Sequence, residues 1–155
     1  MTNEQSAIEG KLIELLEEKN HYLAKFVELN ETELLNFEEG YFENVESFYQ
    51  AREKVLDIVR CIDALIDDEV RALGETAEEF ALNSETRACV EDLMRSKDAL
   101  AKQILAQDLK VLAAIENEKS NIIRDLQQTT QSRKAVGAYG ASATQADLRQ
   151  LDEEA

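Results

Sequence analysis

A chain of 155 residues with no Pro, five Gly and 44% apolar residues has room for one domain and is too apolar for wholesale disorder. The lack of Pro and the scarcity of Gly favour long uninterrupted helices, since those two residues break helices most. The net charge of −16 repels nucleic acid and anionic membrane surfaces, which excludes both as expected partners.

The charge is uneven. Residues 1–100 carry 25 acidic and 10 basic side chains, whereas residues 101–140 carry four acidic and six basic. This near-neutral stretch is either chance variation along solvated helices or a surface that meets a partner. The first residues, Thr2, Asn3, Glu4 and Gln5, and the interruption of the Leu12–Leu16 cluster by Glu14 do not fit a signal peptide. No segment approaches the roughly 18 apolar residues of a membrane span. The expected location is the cytoplasm, with no membrane insertion and with Cys61 and Cys89 reduced.

The first predicted helix runs from about Asn3 to Leu29, capped by Thr2, with the heptad stripe Ile8, Leu12, Leu15, Tyr22, Phe26 and Leu29. Continuing that phase would place Glu33 and Asn36 in the seam. Asn30 is a good N-cap with Glu33 three residues later, and Leu29 and Leu34 stand at the positions of a hydrophobic staple. The reading is therefore a turn or sharp kink at Asn30, with a continuous phase-slipped helix as the alternative. The second helix is expected from about Glu31 to Leu73, weakened near Gly40 and ended at Gly74. Residues 75–83 form a connector in which Thr76 and Glu79 can cap a short turn. The third helix starts near Ser84 and runs to about Ser132, with Val90, Leu93, Leu100, Ile104, Leu105 and Val111 among its seam residues. The polar run Gln127 to Ser132 then gives way to a small-residue segment around Tyr139, flanked by Gly137 and Gly140. The domains are accordingly a helical bundle over 1–136 and a flexible C-terminal tail over 137–155. The fold class is all-α, with long antiparallel amphipathic helices in a hairpin or three-helix coiled-coil-like bundle.

The residue inventory argues against an enzyme. Glu18-Lys19-Asn20-His21 reads as Glu-x-x-His, but carboxylate-bridged di-metal bundles need two such units and His21 is the single histidine. Cys61 and Cys89 are too few for a zinc set, no third group orients a Cys–His pair, and no Gly-rich phosphate loop is present. No catalytic residue, cofactor or metal is expected.

The long helices, the polar helix end and the segment Arg133-Lys134-Ala135-Val136-Gly137-Ala138-Tyr139-Gly140 together resemble flagellar type III export chaperones of the FlgN/FliT type. Leu12-Ile13-Glu14-Leu15-Leu16-Glu17-Glu18-Lys19, leading into Leu34-Leu35, looks like the paired N-terminal helices of that family. The resemblance implies a cytoplasmic chaperone that binds the C-terminal helical segment of hook-associated or filament-type flagellar proteins. It would prevent their premature assembly and deliver them to the cytosolic domain of the export gate. It also implies that Tyr139, with Val136 and Gly140 beside it, docks at that gate. A client helix needs an apolar stripe to lie against. On the third helix, Ile104, Val111, Leu112, Ile115, Ile122 and Ile123 offer one where charge is closest to zero. That stripe is either the client surface or intramolecular core, and Tyr139 either anchors on a partner or folds back onto the bundle. The competing function is a structural coiled-coil adaptor or self-associating scaffold, motivated by the sustained heptad stripes. The chaperone reading expects a monomer or weak dimer.

Overall fold

The computed structural model describes the backbone of residues 3–76 and 82–154 and the side chains of residues 3–75 and 82–137. Three helices account for nearly all of it, with no strand among the described residues: α1 (Asn3–Glu38), α2 (Val45–Thr76) and α3 (Ser84–Glu154). The protein is an all-α bundle, as its periodicity implies.

The break between the first two helices lies at Gly40, not at Asn30. Gly40 adopts φ 77°, a left-handed conformation that costs an L-residue with a side chain. Its N–H donates to the Phe37 carbonyl at 3.0 Å, and that of Tyr41 donates to the Asn36 carbonyl at 2.8 Å. This pair of bonds is a Schellman ending, which satisfies carbonyls that the last turn would leave unpaired. Phe37 and Phe42 stack across the turn at 4.6 Å, and the Asn44 carbonyl accepts the first bond of α2 from the Phe48 N–H at 2.9 Å. Asn30 does not cap a helix. It lies in the interior of α1 and is fully buried. The Nδ2 of this polar residue donates to Gln107 of α3, far away in the chain, while its Oδ1 has no partner among the described residues.

The chain divides into two compact units, residues 1–112 and 113–155. In the first unit, α1 and α2 are antiparallel: Lys19 pairs with Asp63 at 2.7 Å, and the Arg52 guanidinium lies 4.6 Å from the centre of the Phe26 ring. The first part of α3 runs in the same direction as α1. Glu9 meets Asn83 and Thr86, Asn20 meets the Leu93 carbonyl, and Asn30 meets Gln107. The core is made of Leu12, Leu15, Leu16, Phe26, Val27 and Phe37 of α1, Phe48, Val59, Ile62 and Leu73 of α2, and Val111 of α3.

The start of α3 falls at the expected Ser84. Asn83 caps it, its Oδ1 accepting from the Glu85 N–H at 3.0 Å. The buried Glu9 carboxylate accepts from the Asn83 N–H at 2.9 Å and from the Thr86 hydroxyl at 3.4 Å. A carboxylate at a helix N-terminus also meets the positive end of the helix dipole. Most of the expected connector, residues 77–81 with Glu79, lies outside the described residues.

In the second unit, the helical backbone continues through Glu154, beyond the expected helix end near Ser132. A glycine inside a helix costs only about 1 kcal/mol relative to alanine. Gly137 and Gly140 are interspersed with Ala135, Ala138, Ala141, Ala143 and Ala146, the best helix formers. The side chains of residues 119–137 are all exposed.

Candidate interaction surfaces

The predicted client stripe divides between core and surface. Val111 is 1% exposed and belongs to the core, while Ile104 and Ile115 are half-buried. Leu112, Ile122 and Ile123 are exposed. Two residues that the predicted stripe leaves out are more open still: Leu105 at 66% and Leu109 at 70%. Within the first unit, Leu105, Leu109 and Leu112 recur at i, i+4 and i+7, so they share one face of α3. That face lies about 100° around the helix from the one carrying Ile104 and Val111, at 100° per residue. In the second unit, Ile123 and Leu126 line a shallow depression with Gln127 and Thr130. Val136, predicted to face the export gate, is exposed at 72%. Tyr139 and Gly140 have helical backbone, and their side-chain environment lies outside the described residues.

A polar layer crosses the first unit. Arg52 donates to Asp108 Oδ1 at 2.8 Å, and its guanidinium also lies against the rings of Phe26, Phe48 and Tyr49. Asn30 Nδ2 donates to Gln107 Oε1 at 3.0 Å, and Gln107 Nε2 donates to the Val27 carbonyl at 3.3 Å. Each side chain of this layer has a partner on another helix, so the layer fixes the axial register of all three helices.

A second surface, absent from the sequence reading, lies between α1 and α2 near their turn. It is a groove of about 750 Å³ whose apolar lining is Leu29, Phe48, Ala51 and Val55 and whose charged lining is Lys25, Lys54, Glu28 and Glu33. Glu33 is 4% exposed. Its Oε2 accepts from Asn36 Nδ2 at 3.3 Å, and its Oε1 has no partner among the described residues. At the mouth of the turn, the Tyr41 hydroxyl donates to Glu43 Oε2 at 3.2 Å. The Glu43 charge, that hydrogen bond and the Glu33 charge hold the Tyr41 phenol above its ordinary pKa.

His21 is exposed and edge-on to Tyr22. Cys61 is exposed and Cys89 half-buried, both as free thiols. Among the described residues, no group of three or more His, Cys, Asp and Glu is placed to hold a metal ion. None of the described helices is long and apolar enough to cross a membrane. The fold and surfaces define a class, an all-helical bundle with unpartnered apolar faces and a register-setting polar layer. No family model, curated protein or solved structure matches the chain.

Proposed function

We propose that the protein is a cytoplasmic chaperone of flagellar type III export. It holds the C-terminal helical segment of a hook-associated or filament-type client against α3 and passes it to the cytosolic domain of the export gate. The observation that carries the reading is the row Leu105, Leu109 and Leu112, three large apolar side chains open on one face of α3. A client helix reads such a row through its own i, i+3 and i+4 positions. Covering a leucine removes apolar area worth about 1.5–3 kcal/mol when burial is complete. The row therefore supports capture without obliging it to be permanent. In the second unit, Ile122, Ile123 and Leu126 offer a separate apolar patch, and Val136, Tyr139 and Gly140 make the gate-facing segment.

The test is capture of a purified client C-terminal segment by the full chain. Leu109→Ser with Leu112→Ser is expected to weaken capture by about tenfold to a hundredfold, roughly 1.4–2.8 kcal/mol, while leaving the melting temperature nearly unchanged because both residues are exposed. Tyr139→Ala is expected to leave client capture intact and to weaken binding to the gate domain. Unaltered capture by the double variant sinks the α3 assignment.

The second reading, a self-associating scaffold, draws on the same row, because i, i+4 and i+7 is also coiled-coil seam spacing. It requires a stable oligomer that Leu109→Ser dissociates. A monomer throughout the micromolar range, seen by light scattering, excludes it.

A further inference from the structure

The groove between α1 and α2 lies on a different face of α1 from the one that meets α3 through Glu9, Asn20 and Asn30. Along its α1 wall, Lys25, Leu29, Thr32 and Asn36 recur at intervals of four, three and four. Along its α2 wall, Ser47, Ala51 and Lys54 recur at four and three. That is the spacing of a seam between packed helices, yet no described helix of the first unit occupies it. The same α2 row continues at Ile58 and Leu65, both exposed. The small side chains of Thr32, Ser47 and Ala51 leave room for a backbone to approach closely.

The charges along the groove are incomplete. Lys25 and Lys54 stand one on each wall, with Glu28 one turn from Lys25 on α1. Lys25 lies over the Tyr22 ring at 5.1 Å, and neither lysine is in an ion pair among the described residues. About eight residues further along α1, roughly 12 Å at helical rise, the buried Glu33 carboxylate keeps one oxygen without a donor. A buried carboxylate oxygen left unpaired is costly, and a donor arriving with a ligand would remove that cost.

We propose that this groove seats an amphipathic helix of a partner protein. That helix carries an acidic side chain for Lys25 and Lys54 and, about eight residues away, an Arg or Lys for Glu33. The apolar floor takes its ridge, and the two charged positions fix its register and direction. A second copy of this chain is disfavoured as occupant, since each copy carries a net charge of −16. A small cation would satisfy Glu33 but leave Leu29, Phe48 and Val55 uncovered. This site is independent of the α3 row and does not rest on the chaperone reading.

The experiment titrates the full-length protein against a fluorescently labelled helical peptide of about three heptads. Its apolar ridge is flanked by one Glu and one Arg eight residues apart, and a control peptide has Gln at both positions. Saturable binding on the order of micromolar is expected, at least tenfold weaker for the Gln peptide. Ala51→Trp, which fills the groove, is expected to weaken binding at least tenfold, and Thr32→Trp on the facing wall serves if Ala51→Trp does not fold. Glu33→Gln is expected to weaken the Glu/Arg peptide and to leave the Gln peptide unchanged. Leu109→Ser is expected to have no effect. Undiminished binding to a folded, groove-filled variant overturns the proposal, as does loss of binding with Leu109→Ser, which would place the peptide on α3. Equal loss of both peptides with Glu33→Gln overturns the charge pairing. A dimer that Ala51→Trp dissociates assigns the groove to a second copy instead.

Discussion

Arg52 shows how one side chain organises three helices. Its charge is neutralised by Asp108 of α3 and its flat face is covered by Phe26 of α1 and by Phe48 and Tyr49 of α2. Guanidinium groups tolerate such settings better than ammonium groups because they are planar and weakly hydrated. Gly40 is the other residue whose chemistry is decisive. At φ 77° a Cβ is strained even though open space surrounds it. Gly40→Ala is expected to destabilise the fold by about 1–2 kcal/mol. Gly10 lies inside α1, and a methyl group there would meet nothing within 4 Å. It should respond in the opposite sense, with Gly10→Ala stabilising by about 0.5–1 kcal/mol through helix propensity. Chemical denaturation of the two variants beside the parent checks both signs. A stabilising Gly40→Ala would contradict the Schellman ending.

Residue identity makes some of this legible and hides the rest. Gly40 is legible as a weak point in a helix, but the staple-like Leu29 and Leu34 and the cap-like Asn30 and Glu33 form a competing local signal for where the helix ends. The competitor fails because the Asn30 side-chain amide is drawn into the bundle by Gln107, 77 residues away, and local patterns carry no trace of such a partner. Val111, which the sequence leaves as either client surface or core, is core, and Leu109, outside the predicted stripe, is open, for a related reason. α3 is apolar around much of its circumference there, so spacing alone does not tell which apolar row faces the bundle and which faces away.

At the scale of the element, the start of α3 at Ser84 is legible because Asn83 and Ser84 are capping residues ahead of an amphipathic run. What the sequence does not reveal is that Glu9 of α1 reinforces this start. Glu9→Gln keeps the size and one acceptor but removes the charge facing the helix dipole. It is expected to cost about 1 kcal/mol, and to cost much less in the background of Asn83→Gly, which alters the cap that Glu9 supports. A double-mutant cycle by thermal denaturation measures that coupling. Additive losses would mean that Glu9 and the α3 cap act separately. The α1/α2 groove belongs to the same scale. Its wall residues are mixed polar and apolar, so no hydropathy pattern marks it, and only the packing of two helices against each other reveals the gap.

For the whole molecule, the sequence conveys the class, an all-α bundle of long antiparallel helices, but not which side chains join them. α1 and the first part of α3 run in the same direction, as two successive antiparallel connections require. That direction has a kinetic consequence. The α1/α2 hairpin closes around a short turn at Gly40, whereas the hydrogen bonds joining α1 to α3 link residues 73–80 positions apart. Loop-closure entropy and contact order both favour forming the nearer pairs first. A chain leaving the ribosome would thus complete its first two helices before Gln107 and Asp108 exist to cover Asn30 and Arg52. Substitutions at Phe37 or Phe48 are expected to slow refolding, while Gln107→Ala should chiefly hasten unfolding. Stopped-flow kinetics distinguish these outcomes, and a refolding rate governed by Gln107 would mean that the third helix joins early, not last.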